Sequence, residues 1–141
     1  QKSDVDKLMY YDARPCMYNG IFSTDFGTPL PTYNSFLAFK KLKEYGNAVF
    51  SGDEGDIYSC ASKNDERACV SVVRFDPENK TDKESVVVNC DGLSDGSHTA
   101  EITVYEENGE SKKTTEIKVK DGKGKIKLTL KNYAFAVVVI Y

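Results

Sequence analysis

The side chains best suited to chemistry are few and scattered. His98 is the only histidine. It follows Gly96-Ser97 at the start of a predicted strand, and without a second histidine or a neighbouring cysteine it reads as a turn residue, not a metal ligand. Asp53-Glu54-Gly55-Asp56 is dense in oxygen ligands. It lacks the alternating ligand pattern closed by a glutamate that a calcium loop needs, so it reads as a solvated loop. Four cysteines, Cys16, Cys60, Cys69 and Cys90, are too sparse for a disulfide scaffold, and no spacing suits zinc. Cys60 and Cys69 flank Ser62-Lys63-Asn64-Asp65-Glu66-Arg67. A two-residue Asn64-Asp65 turn would set them directly opposite each other as a candidate disulfide, although such bridges are strained and a buried thiol is the commoner state. Tyr10, Tyr11, Asp12 and Arg14 gather where an apolar run breaks at Pro15. On residue type alone, Asp12 and Arg14 read as an ion pair fixing that bend. No metal and no cofactor is expected.

The chain that must position these groups has 141 residues and a net charge of −3. That is room for one core plus an appendage. The charge gives no reason to expect nucleic acid, whose binders carry a clustered basic face. Lysines 112, 113, 118, 120, 123, 125, 127 and 131 form a local basic stretch, but they interleave with apolar residues as the wet face of strands does. No apolar run approaches the roughly 20 residues that span a bilayer, so no membrane partner is expected. A start at Gln1 reads as a processed, cloned or incomplete terminus, which leaves the compartment open.

Residues 1–46 and 47–141 differ in character. Val5 to Tyr11 has strand length and ends at the residue-before-proline break. Met17 to Phe22 is a second extended piece, and residues 24–31 are loop. A helix is predicted over Tyr33 to Tyr45, with Pro31-Thr32 supplying proline and a capping hydroxyl, Phe36, Phe39, Leu42 and Tyr45 an apolar stripe, and Gly46 the stop. One strand, a loop and a helix cannot bury themselves. From Ala48 onward, eight short strands alternate with turn clusters: 48–50, 57–62, 69–75, 86–90, 99–106, 114–120, 125–130 and 135–141. Ile117/Val119 and Ile126/Leu128/Leu130 alternate cleanly, whereas Val137-Val138-Val139-Ile140 is apolar on both faces and must be covered on both. The pattern predicts a mainly β chain, an antiparallel sandwich preceded by a strand-loop-helix unit.

The run Leu8-Met9-Tyr10-Tyr11-Asp12-Ala13-Arg14-Pro15, followed by Tyr18-Asn19-Gly20-Ile21-Phe22 and Tyr33 to Tyr45, resembles the last βα unit of clan A (β/α)8-barrel glycoside hydrolases near families 39 and 51. In those enzymes a C-terminal β-sandwich follows the barrel. Ala61 to Val70, Gly92-Leu93-Ser94-Asp95-Gly96-Ser97-His98 and Asn132 to Ile140 are similar to the sandwich's hairpin, its "GLPDGxY" turn and its closing strand. His98 departs from the aromatic common there, and the chain has no tryptophan.

The resemblance implies that the catalytic pair lies elsewhere. Retaining glycosidases need two carboxylates about 5–5.5 Å apart, and by resemblance these end barrel strands four and seven, upstream of Gln1. This chain is therefore expected to be non-catalytic, with a xylosidase- or arabinofuranosidase-like parent and the upstream barrel as partner. Tyr11, Asp12 and Arg14 would border the sugar only in the intact parent. Val5 to Tyr11, deprived of barrel neighbours, would be an open edge available for self-association. The alternative is an autonomous carbohydrate-binding module, a polysaccharide partner stacking on Tyr45, Tyr58, Tyr105, Tyr133 or Tyr141.

Overall fold

The computed structural model describes Pro15, residues 20–25 and residues 27–141. The predicted strand over Val5 to Tyr11, the residues Tyr11, Asp12 and Arg14, and the first half of the second extended piece, residues 17–19, lie outside the described residues.

One helix precedes eight strands. These are α1 (Pro31–Glu44), β1 (Asn47–Val49), β2 (Ile57–Lys63), β3 (Ala68–Arg74), β4 (Lys83–Asp91), β5 (Gly96–Glu106), β6 (Gly109–Val119), β7 (Lys123–Lys131) and β8 (Phe135–Ile140). They form a six-stranded sheet, in the order β1-β2-β3-β8-β5-β6, and a two-stranded sheet, β4-β7, with every pairing antiparallel. The predicted sandwich with a leading helix is the architecture found.

Strand periodicity sorts the residues between two cores. Val72, Ala136, Val138, Ile140, Ala100 and Ile102 point from the large sheet into the sandwich, where Val86, Ile126, Leu128 and Leu130 of the small sheet meet them. Cys69, Val137, Val139 and Tyr105 point the other way, and α1 covers them with Ala38 and Leu42. β8 lies between β3 and β5. Its two apolar faces thus belong to two cores, as a doubly covered strand requires.

The helix departs from expectation at both its cap and its stripe. Leu30 is the N-cap, with extended backbone and no side-chain cap, and Pro31 opens the first turn. Thr32 therefore lies inside the helix and does not cap it. The buried side is Ala38 and Leu42, with Tyr45 packed alongside, whereas Phe36 and Phe39 are 44% and 66% exposed. At about 100° per residue, a strict three-residue spacing walks back about 60° per step. Phe36 and Tyr45 thus fall on opposite sides, while 38, 42 and 45 share one.

The cysteine pairing also differs. Residues Asn64 to Arg67 form a four-residue loop, because Asn64 Oδ1 accepts the N–H groups of Glu66 and Arg67 at 2.9 and 2.7 Å. That shifts the register: Cys60 faces Ser71, and Cys69 faces Ser62. The two thiols are diagonal neighbours on the helix side, a separation of about 7–8 Å between Cα atoms and too wide for a disulfide. Both are free. Burial pushes the Cys69 thiol up to about 11, only partly offset by nearby Lys41. Iodoacetamide at pH 8 is therefore expected to leave Cys69 unmodified in the folded chain and to label it in urea. Labelling of the folded chain, read by mass spectrometry, would contradict this burial.

Among the described residues, Arg74 is the one long cation in the interior, with no exposed surface. Its Nη1 donates to the Asp82 carbonyl at 3.1 Å, and its Nη2 to the Thr81 carbonyl at 2.8 Å and to the Thr81 hydroxyl. Asp76 Oδ2 lies 3.9 Å from Nη2, and Glu84 Oε2 lies 3.4 Å from Nε. The Asp76 carboxylate accepts the backbone N–H groups of Glu78 and Lys80 at 3.0 and 2.7 Å, and Asn132 bridges Asp76 N–H and C=O at 2.8 Å each. Burial pushes this carboxyl up, but the backbone donors, Lys80 foremost, outweigh it and hold it below the usual range. A depressed folded value means stability present above the unfolded value of about 3.9 and lost as pH falls through the folded one. Asp76→Asn is thus expected to be less stable than the parent chain at pH 7, the gap closing towards pH 2. A gap independent of pH would assign it to packing.

Candidate functional site

Among the described residues, two open clefts and one aromatic face stand out as surface features able to recognise a ligand. The larger cleft, about 540 Å3, lies between β6 and β7, with Ile102, Val104 and Leu128 as its floor and Ser111, Lys113 and Lys127 on its rim. It holds no carboxylate. The smaller, about 220 Å3, is bordered by His98, Arg67, Tyr141, Asp65 and Glu66. Its two acids are sequence neighbours on the exposed β2–β3 loop, not an opposed pair across a sugar site. Among the described residues, no three His, Cys, Asp or Glu side chains converge to hold a metal. No helix among them is long and apolar enough to cross a membrane.

His98 has the turn role its position suggested. Nδ1 lies 3.0 Å from the Tyr141 carbonyl and Nε2 lies 2.8 Å from the Ser94 carbonyl, so the ring ties the start of β5 to the end of β8. In the acidic stretch, Asp53 Oδ1 accepts the Ser59 N–H at 2.8 Å, and Glu54 bridges Ile57. This is a turn closing onto β2. The lysines at 118, 123, 125 and 127 are exposed on β6 and β7, while Lys112 meets Glu110 at 2.5 Å and Lys131 meets Glu106 at 3.0 Å.

The five tyrosines separate by burial. Tyr105 is buried and stacks on Phe135, ring centroids 4.6 Å apart. Tyr45 and Tyr141 both stack on the Arg67 guanidinium, at 5.6 and 5.2 Å, a staple between the helix end and the sheet. Tyr58 and Tyr133 are open. Tyr133 has φ 62, an uncommon backbone for a bulky residue, held by donation from its N–H to the Arg74 carbonyl at 3.1 Å. Its ring meets Phe75 edge-on at 5.7 Å. Phe75, Tyr133, Tyr58 and Val73 belong to the outer face of the large sheet, the face that α1 crosses. With Phe36 on the far side of α1 and Phe39 on its flank, that half of the molecule carries exposed large apolar groups on both sheet and helix. The residue types are legible in the sequence but this grouping is not, because it depends on strand register and on the true buried side of α1.

No protein-family model matches the sequence, and no curated protein is similar to it. Solved structures share its fold. A glycoside hydrolase family 30 subfamily 8 xylanase from Clostridium acetobutylicum superposes with a TM-score of 0.63 at 13% identity, over 86% of this chain and 30% of that one. A GH30 endoxylanase from Clostridium papyrosolvens C71 superposes with a TM-score of 0.61 at 18% identity, over 86% of this chain and 30% of its own. A bifunctional glucanase-xylanase from a metagenome library gives 0.56 at 13% identity, over 84% of this chain and 23% of its own. The chain thus spans about 30% of the length of the first two. The fold shared is that of a part of several glycoside hydrolases; families 39 and 51 are not what these structures are named for.

Proposed function

We propose that this chain is the non-catalytic C-terminal region of a barrel glycoside hydrolase. In this reading residues 1–46 complete the barrel, and residues 47–141 are an accessory sandwich that braces it. The observation that carries the reading is the two-sided helix. α1 buries Ala38 and Leu42 on the sheet, while Phe36, on the side away from it, is still 44% exposed and Phe39, about 60° round from Leu42, is 66% exposed. A helix apolar on both sides belongs between two bodies. Superposition on about a third of much longer glycoside hydrolases, and clefts without an opposed carboxylate pair, support the same reading. A xylan-type substrate for the parent accords with the named xylanases. The finer assignment, a family 39/51-like xylosidase or arabinofuranosidase with Tyr11, Asp12 and Arg14 near the sugar, rests on the sequence motifs alone.

The test is reassembly. The upstream region, produced separately, is expected to bind this chain, and Phe36→Ser/Phe39→Ser to weaken that binding at least about tenfold without lowering the sandwich's melting temperature. Turnover of xylan by the 141-residue chain itself, or binding indifferent to both substitutions, would sink the proposal. The second reading, a carbohydrate-binding module, is favoured by the exposed Phe75–Tyr133 pair. Titration against xylan and arabinan decides it: affinity abolished by Tyr58→Ala and Tyr133→Ala would displace the first reading.

A further inference from the structure

We infer that the outer edge of β6 is self-complementary and pairs two copies of this chain antiparallel about Thr114, independently of the function proposed above. β6 is the last strand of the six-stranded sheet and hydrogen-bonds only to β5. Residues 109–116 of β6 are exposed throughout, so among the described residues no strand lies beside its outer row of backbone donors and acceptors. The 540 Å3 cleft flanks this edge, because β7 diverges from β6 into the other sheet beyond the Lys120–Lys123 bridge.

The charge pattern selects the occupant. Along the outer face of β6 run Glu110, Lys112, Thr114, Glu116 and Lys118, all exposed. Reversed upon itself about Thr114, the strand sets Glu110 opposite the partner's Lys118 and Lys112 opposite the partner's Glu116. The two-fold axis repeats both pairs, and Thr114 meets the partner's Thr114. Neighbouring registers that keep the faces aligned fail. Centring on Lys113 opposes Glu110 to the partner's Glu116, centring on Thr115 opposes Lys112 to the partner's Lys118, and centring on Lys112 opposes it to the partner's Lys112. Opposite charges directly across an antiparallel pair are favourable and like charges are not. Among the registers that overlap most of β6, the one about Thr114 is therefore favoured; those centred on Ser111 or Ile117 also oppose unlike charges but pair only five residues of each strand. The facing residues of β5 leave the pattern intact: Ser97, Thr99, Thr103 and Tyr105 lie across from Lys118, Glu116, Lys112 and Glu110, and the one charged neighbour, Glu101, lies across from Thr114. The Lys112–Glu110 bridge within one chain joins the same ladder.

Lysines on an edge ordinarily repel an incoming strand; here each meets a carboxylate. The contact adds little apolar burial, so the association is weak and depends on ionic strength. Sedimentation velocity of the 141-residue chain from micromolar to millimolar concentration at low salt is expected to show a reversible dimer, dissociated at about 1 M salt, where the Debye length is about 3 Å. Lys112→Glu or Glu116→Lys alone is expected to weaken it about tenfold, and the charge swap Lys112→Glu/Glu116→Lys to restore it to within about threefold. Thermal unfolding confirms that each variant is folded. A monomer across the whole range, or a dimer indifferent to the single reversals, as one formed through residues 5–11 would be, overturns the inference. So does a swap that fails to restore association.

Discussion

Arg74→Met is expected to destabilise the fold by about 3–5 kcal/mol, the range for removing one member of a buried charged pair. The side chain has no exposed surface and Asp76 is 2% exposed, whereas Thr81, Asp82 and Glu84 lie at the solvent end of the cluster, so the loss falls chiefly on the buried Arg74–Asp76 contact. The Thr81 and Asp82 carbonyls lose the guanidinium hydrogens that approach them at 2.8 and 3.1 Å. Asp76 and Glu84 lose a guanidinium that lies 3.9 and 3.4 Å away. A buried acceptor stripped of its donor forfeits its full desolvation cost, unlike a pair removed together. Urea unfolding at pH 7 measures the effect, and against a typical domain stability of about 5–15 kcal/mol the variant stays folded with a clearly lower midpoint. Arg74→Lys separates charge from geometry. An ammonium restores the positive charge but not the fork that reaches two carbonyls at once, so it is expected to recover only part of the loss. A change below about 0.5 kcal/mol in Arg74→Met would show that the cluster is incidental to stability.

The same residue shows where sequence reading stops. Arg74 occupies an inward position on a strand whose inward neighbour is Val72, and Asp76-Pro77 follows it. An inward arginine on an otherwise apolar strand face, followed by an acidic turn, is a sequence signal for a buried charge cluster. What period and turn chemistry do carry was legible. All eight strands, the Asp121-Gly122 turn and the double covering of β8 follow from alternation and from glycine placement. The partition into six and two strands was not legible, since alternation marks faces without naming neighbours. The length of the loop over residues 64–67 is not legible, because Asn64 caps a longer loop as readily as it opens a two-residue turn, and the two added residues move Cys60 and Cys69 out of opposition. On α1, aromatic size drew attention to Phe36 and Phe39 although Ala38 and Leu42 touch the sheet. A small residue lets a helix approach closely, so the buried side need not be the bulky one. The exposed aromatic face, which carries the functional reading, emerged only when that side was fixed.

Gly46→Ala is expected to cost about 3 kcal/mol or more, because two penalties add at one atom. The backbone there has φ 133, a conformation that L side chains rarely adopt, with strain of about 1–3 kcal/mol. A Cβ at this position would lie 2.1 Å from the Lys63 carbonyl oxygen, 2.3 Å from its carbon and 2.6 Å from Asn64 N. These are backbone atoms of the β2–β3 loop, fixed by the Asn64 and Arg67 hydrogen bonds, so no side-chain rotation relieves the contact. Either the loop gives way or the end of α1 lifts, and lifting uncovers Cys69, Val137 and Val139. Thermal unfolding is expected to fall by roughly 10 °C, on a scale of about 2–4 °C per kcal/mol for a chain near this size. Cys69 reports which route is taken: a raised helix opens the thiol to iodoacetamide in the folded state, whereas a displaced loop leaves it shielded. Gly27→Ala, where an added Cβ meets nothing within 4 Å, is the control and is expected to be nearly neutral. If Gly46→Ala matches that control, the close seating of α1 on the sheet is wrong. The outward placement of Phe36 and Phe39, and the two-body reading built on it, would then lose their foundation.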